Sequence, residues 1–137
     1  MSLPPVRPAA GIRRLTTVAD AQLQSLAELL IDGVDGTVQL LLQQPENQRH
    51  RADLQKMLVH RRARRQGLGE ALLRAAELLA VACDKSLLVL DTEAGIDAER
   101  LYARLGWQPA GLIPGYAIGP AGEPLAARWF FRRLAAD

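Results

Sequence analysis

The chain has 137 residues, 49% of them hydrophobic and 23% charged, an ordinary globular composition that excludes disorder and is long enough to bury a core. The net charge is only +2, and the basic residues gather in one loop with a second pair at Arg132 and Arg133. That pattern suits a phosphorylated small molecule better than a long nucleic-acid track, and two each of Phe, Trp and Tyr leave little for base stacking.

In chain order, Met1 to Ala10 is a proline-rich tail without the apolar run of a signal peptide, and 11–137 reads as a single domain. Ile12 to Thr16 alternates as a short strand. Thr17 is placed to cap a helix over Ala19–Asp32, with Leu23, Leu26, Ala27 and Leu30 on one face and Gly33 as its stop. Gly33 to Gly36 then reads as a turn, Thr37–Leu42 as a strand, Gln44–His50 as a polar hairpin loop, and Asp53–Val59 as an antiparallel neighbour. Leu68, Leu72, Ala75, Ala76, Leu79 and Cys83 keep the spacing of one helix face from Leu68 to Cys83, and Asp84-Lys85 ends it. The near-continuous apolar run Ser86–Asp91 suits a strand covered on both faces, so Leu54 to Asp91 forms a βαβ unit with parallel strands. Asp97 caps a short helix with Ala98, Leu101, Tyr102 and Leu105 on its apolar face, and Gly106 closes it. Trp107–Leu112 is a strand, Pro114-Gly115 a turn, Pro120–Pro124 a hairpin loop, and Arg128–Arg132 the closing strand.

Between the strand ending at Val59 and the helix lies His60-Arg61-Arg62-Ala63-Arg64-Arg65-Gln66-Gly67-Leu68-Gly69. Glycines allow a tight turn that exposes backbone N–H groups, the helix N-terminus adds partial positive charge, and arginine binds phosphate oxygens bidentately. This order builds a phosphate site. A Walker loop is excluded because no Lys-Ser or Lys-Thr pair follows the glycines, and a dinucleotide fingerprint because only Gly67-x-Gly69 is present. One cysteine excludes an internal disulfide framework, and one Cys with two His, none at ligand spacing, argues against any metal site. No apolar run reaches membrane-spanning length, and the expected location is cytoplasmic.

Arg64-x-x-Gly67-x-Gly69 after that strand resembles the acyl-CoA pyrophosphate loop of the GNAT superfamily of N-acetyltransferases. Leu87-Leu88-Val89-Leu90-Asp91, followed by Ala98-x-x-Leu101-Tyr102-x-x-x-Gly106-Trp107, resembles the second signature of that superfamily. The wording Gln55-Lys56-Met57, Leu90–Gly95 and Pro114-Gly115-Tyr116 is similar to the bacterial tabtoxin-resistance acetyltransferases. The resemblance implies an α/β fold with a mixed, mostly antiparallel sheet, a central parallel βαβ unit and flanking helices. It also implies acetyl-CoA as co-substrate and the primary amine of a small molecule, such as an amino-acid-like toxin or antibiotic, as acceptor, attacked directly in a ternary complex. No nucleic acid, membrane or metal enters that scheme.

Carried over residue by residue, Met57, Leu58 and Val59 would hold the pantetheine arm along a strand edge. A backbone N–H there would polarise the thioester carbonyl. Arg64, Arg65, Gln66, Gly67, Leu68 and Gly69 would wrap the pyrophosphate. Tyr102 is the candidate acid: a phenol titrates at about 10 and a thiol at about 8.5, so it would steady the developing thiolate through a hydrogen bond. Asp91 or Glu93, at the end of the central strand, would orient the amine or take its proton. With an ordinary Asp pKa of about 3.9, the base role requires a raised value. His60 and Cys83 read as structural, and Tyr116 as a residue near the acceptor. Two departures stand out. Gly95 occupies a position where many relatives carry Asn, and the chain looks shortened by a helix and a strand near residues 33–37. A missing strand would leave a sheet edge open to homodimerisation. The alternative reading is a shortened, catalytically weak module that binds CoA or a protein partner.

Overall fold

A computed structural model describes residues 12–15, 26–31, 36–59 and 67–134. Seven strands and two α-helices make up the described elements, a mixed α/β arrangement in which antiparallel pairing predominates. The chain divides into two compact units, residues 1–88 with 133–137 and residues 89–132.

In the first unit β1 (Ile12–Leu15), β2 (Leu26–Ile31), β3 (Gly36–Leu41) and β4 (Arg51–Val59) follow one another as an antiparallel meander. The start of β5 (Leu87–Glu93) adds to β4 in parallel, with the N–H groups of Ser86 and Leu87 donating to the His50 carbonyl at 2.8 and 3.2 Å. The crossover between these parallel strands is α1 (Leu68–Ala82), which lies across β2, β3 and β4. Period two brings Val38, Leu40, Ala52 and Leu54 inward from the strands, and period 3.6 brings Leu72, Leu73, Ala76, Leu79 and Ala80 down from the helix. Leu72, Leu73 and Leu79 have no exposed surface, and each such side chain contributes about 2 kcal/mol of burial.

Arg51 gathers the polar loop between β3 and β4. Its guanidinium pairs with Asp53 and donates to Gln44 Oε1 and Gln48 Oε1, both at 2.6 Å. Lys85 reaches the same loop from beyond α1, and its Nζ donates to the carbonyls of Leu42 and Arg49 at 2.7 Å each. Burial holds the Lys85 ammonium below the ordinary lysine range; the nearby Cys83 opposes that shift and Arg51 adds to it.

In the second unit the strand order is β5, β7 (Pro124–Arg133), β6 (Gln108–Ile118). The hairpin β6–β7 is closed by a tight loop in which Gly119 N–H donates to Glu123 O at 2.8 Å. Helix α2 (Asp97–Arg104) sets Tyr102 against Trp107 and Phe130, with ring centroids 5.9 and 5.6 Å away at interplanar angles of 56° and 48°. These tilted aromatic contacts, with Leu90, Leu105 and Ala127, form the buried centre of the unit.

Three expectations are corrected. The helix over Ala19–Asp32 does not extend through its second half, because Leu26–Ile31 is strand β2; residues 16–25 lie outside the described residues. The run Leu26-Ala27-Glu28-Leu29-Leu30-Ile31 satisfies both periodicities, and pairing with β1 on one side and β3 on the other decides in favour of the strand. The strand expected to be missing before Thr37 is therefore present as β2. Second, Pro114-Gly115 is not a turn: β6 runs on to Ile118, and a register shift between Ile113 and Ala117 absorbs the irregularity. Proline is tolerated because β6 lies at the end of the strand order, and Gly115 supplies φ = 64° at the bulge. Third, the N-cap of α2 is Ile96. Glu99 reaches back to accept the N–H of Gly95, one residue before the N-cap, at 3.0 Å, while Asp97 supplies first-turn negative charge.

Candidate active site

The cofactor-side residues lie at the C-terminal end of β4 and the start of α1. Met57 and Val59 are half-buried and Leu58 is 65% exposed, as alternation along a strand requires. Arg64, Arg65, Gln66 and His60 fall outside the described residues. Gly67 holds φ = 75°, the left-handed region that a side chain disfavours, and its position as N-cap starts α1 at Leu68 and Gly69. The N-cap is a glycine, so no N-cap side chain bonds the first-turn N–H groups, the setting in which helix N-termini bind anions.

Asp91, Glu93 and Tyr102 belong to the second unit. Asp91 and Glu93 are exposed and share one face of β5, two residues apart. Tyr102 is buried, and its phenol is pushed up to about 12, first by burial and then by the negative charge of Asp91. The phenol keeps its proton across the neutral and moderately alkaline range and can donate a hydrogen bond. Glu99 and Arg128 pin the start of α2 to β7 through an ion pair of 2.5 Å. The Gly95 N–H, followed by the Arg128 guanidinium, holds the Glu99 carboxyl below its ordinary range.

The sequence reading missed a cavity of about 470 Å³ in this unit, walled by Val89 of β5, Ala110, Leu112 and Ile113 of β6, and Trp129 and Phe131 of β7. Trp129 Nε1, like Trp107 Nε1, is buried without a hydrogen-bond partner, and the Trp129 ring meets Tyr116 edge-on at 5.6 Å. A tryptophan in an alternating strand was the available signal, since a buried indole N–H ordinarily finds a partner. Among the described residues no group of three or more His, Cys, Asp or Glu is placed to hold a metal ion, and no helix is long and apolar enough to cross a membrane.

Residues 11–109 match the Acetyltransferase (GNAT) domain family. Among solved structures, the chain is similar to an acetyltransferase of the GNAT family from Streptococcus pneumoniae. The TM-score is 0.72 at 24% identity, over 80% of this chain and 68% of that one. It is also similar to the yncA protein of Salmonella typhimurium, solved with its cofactor acetyl-CoA, with a TM-score of 0.73 at 22% identity over 85% and 69% of the two chains. A ribosomal-protein-alanine N-acetyltransferase from Brucella melitensis gives a TM-score of 0.68 at 26% identity over 80% and 69%. A family match across most of the chain, on a fold shared with these structures, shows that the chain belongs to the GNAT acetyltransferases, the enzymes that use acetyl-CoA as co-substrate.

Proposed function

We propose that the chain transfers the acetyl group of acetyl-CoA to the primary amine of a small molecule, by direct attack in a ternary complex. The observation that carries this reading is the buried Tyr102 of α2, held against Trp107 and Phe130, whose protonated phenol is a hydrogen-bond donor. In the proposed reaction the amine lone pair attacks the thioester carbonyl carbon. The C–N bond forms, the C–S bond breaks, and the amine proton passes to Asp91 or Glu93, directly or through water. Tyr102 donates a hydrogen bond to the departing sulfur, which takes its proton from solvent. A phenol with a pKa of about 12 does not hand its proton to a thiolate, so its contribution is stabilisation of developing charge.

Met57, Leu58 and Val59 hold the pantetheine arm in this scheme, and Arg64, Arg65, Gln66, Gly67, Leu68 and Gly69 the pyrophosphate. The left-handed Gly67 and the uncapped start of α1 support that assignment. The affinity to the tabtoxin-resistance subgroup, a single domain over 11–137, a cytoplasmic location and a homodimer belong to the same reading. Any compression relative to the family pattern would lie in residues 16–25, between β1 and β2.

Calorimetric titration of acetyl-CoA, with Gly67→Glu as control, is the first test. Saturable binding by the wild type that the variant loses supports the cofactor loop, and thiol release with a panel of small amines then supports transfer. Absence of binding by the folded wild type overturns the reading.

A further inference from the structure

Helix α2, which bears Tyr102, has eight residues and rises about 12 Å, too short to hold its shape without neighbours. The contacts of Tyr102 with Trp107 and Phe130 are apolar packing, which is non-directional and tolerates sliding along the strand beneath. A directional contact has to fix where the phenol stands.

Two arginines of β7 supply it. Arg128, Phe130 and Arg132 alternate along the strand and so share one face, the face that meets α2. Arg128 Nε donates to Glu99 Oε1 at 2.5 Å, in the first turn of the helix. Phe130 meets Tyr102 near the middle, with ring centroids 5.6 Å apart. Arg132 Nη1 donates to Leu105 O at 3.1 Å, at the C-cap. Glu99, Tyr102 and Leu105 follow one another at intervals of three residues, the spacing of neighbours on a helix surface. Three strand positions thus meet three helix positions in order, and the two polar contacts bracket Tyr102. The arginines stand about 13 Å apart along β7, close to the length of the helix. An anion at its start and a cation at its end also match the helix dipole. The Glu99 carboxylate is engaged on both oxygens, since Oε2 accepts the Gly95 N–H at 3.0 Å. One residue therefore joins the turn after β5, the helix and β7.

We propose that Arg128 is a positioning residue for the reaction: through Glu99, and with Arg132 at the far end, it sets α2 in one register on β7 and so fixes the place of the Tyr102 phenol. The inference rests on the proposed hydrogen bond from that phenol to the departing sulfur. Misplacing a reacting group by about 1 Å costs on the order of 100-fold in rate, so Arg128 acts without touching substrate.

The test is a double-mutant cycle, read as thiol release from acetyl-CoA with the most active member of the small-amine panel. Arg128→Met keeps the apolar stem and drops the guanidinium. It should lower kcat by about 5- to 50-fold and leave KM for acetyl-CoA within about twofold. In a Tyr102→Phe background the same substitution should change kcat by less than about twofold, because no phenol remains to be misplaced. Arg128→Lys should recover part of the loss. Glu99→Gln, left with one carbonyl oxygen for two donors, should fall between wild type and Arg128→Met. A loss of equal size in both backgrounds makes the ion pair a plain structural contact and overturns the inference. The chain has only two tyrosines, so 3-fluorotyrosine labelling gives a second readout that needs no turnover. The fluorine resonance of Tyr102, identified by its absence from Tyr102→Phe, should shift or broaden in Arg128→Met and move back in Arg128→Lys. An unmoved resonance in folded Arg128→Met overturns the inference. The two readings fail separately. A kcat lowered by Tyr102→Phe but untouched by Arg128→Met leaves acetyl transfer standing and sinks the positioning role. Absence of thiol release with every amine sinks the transfer reading, and the fluorine resonance then decides whether Arg128 sets the place of the phenol.

Discussion

Tyr102 offers a prediction that can be worked from structure to assay. Its ring is packed between Trp107 and Phe130, and its pKa moves from 10.0 to about 12 under burial and the Asp91 charge. The sign follows from proton counting. Below pH 10 both folded and unfolded states hold the phenol proton, and the contribution is fully present. Between pH 10 and 12 the unfolded chain releases the proton while the folded one keeps it, so stability falls as pH rises through that window. Two pKa units correspond to roughly 3 kcal/mol, lost in full only at the upper end. Tyr102→Phe keeps the ring contacts and removes the titration. Urea unfolding at steps from pH 8 to 11.5 should therefore show a wild-type curve that drops more steeply than the variant above pH 10. The difference in phenolate absorbance between the two proteins should place Tyr102 ionisation near pH 12. Parallel stability curves, or ionisation of Tyr102 near pH 10 in the folded protein, would refute the burial argument. If Tyr102 makes the proposed hydrogen bond to the departing sulfur, the same variant loses about 10- to 1,000-fold in kcat, the range expected for one lost donor to developing charge.

Other substitutions test the fold that carries this residue. Gly106 closes α2 at φ = 93°, and a Cβ there would lie 2.6 Å from Arg132 Nη1, which donates to Leu105 O at 3.1 Å. Gly106→Ala should cost about 2–3 kcal/mol in urea unfolding, from left-handed strain plus a disturbed hydrogen bond. Gly122→Ala has a similar φ of 82° but nothing within 4 Å, so it should cost only the strain of about 1–2 kcal/mol; equal losses would refute the contact. Asp84 follows α1 with φ = 62°, and Asp84→Gly should raise the free energy of urea unfolding by about 0.5–1 kcal/mol. The Glu99 carboxyl is lowered from 4.5, so its contribution is present above that pH and lost as pH falls through the lower folded value. Glu99→Gln should flatten the acid limb of the stability curve, and an unchanged limb would discount the Gly95 and Arg128 contacts.

The elements legible in the sequence were those whose pattern has one solution. Leu72, Ala75, Ala76 and Leu79 fit only a helix face, and the run from Leu87 to Leu90 between two turn signals fits only a covered strand. Leu26–Ile31 has two solutions, and the partner strands that choose between them lie on either side in sequence. Gly106 as a left-handed stop was legible because its backbone requirement is local; the continuation of β6 through Pro114 was not, because it depends on where the strand stands in the sheet. The same division runs through the site. Tyr102 was legible from its place on the apolar face of α2, whereas its setting against Phe130 arises from packing between segments distant in sequence. Arg64, Arg65 and Gln66 remain arguments from sequence.

The grip of Lys85 on the loop between β3 and β4 has a chemical consequence for a protein that handles an activated thioester. Among 17 basic residues the chain has only two lysines, Lys56 and Lys85, and arginine does not form stable amides under these conditions. The Lys85 amine is occupied by two carbonyls, and acylating it would forfeit both hydrogen bonds and release the loop that Leu42 and Arg49 anchor. Side-chain amines able to intercept the enzyme's own acyl donor are thus scarce in this chain, and one of them is engaged in holding the fold.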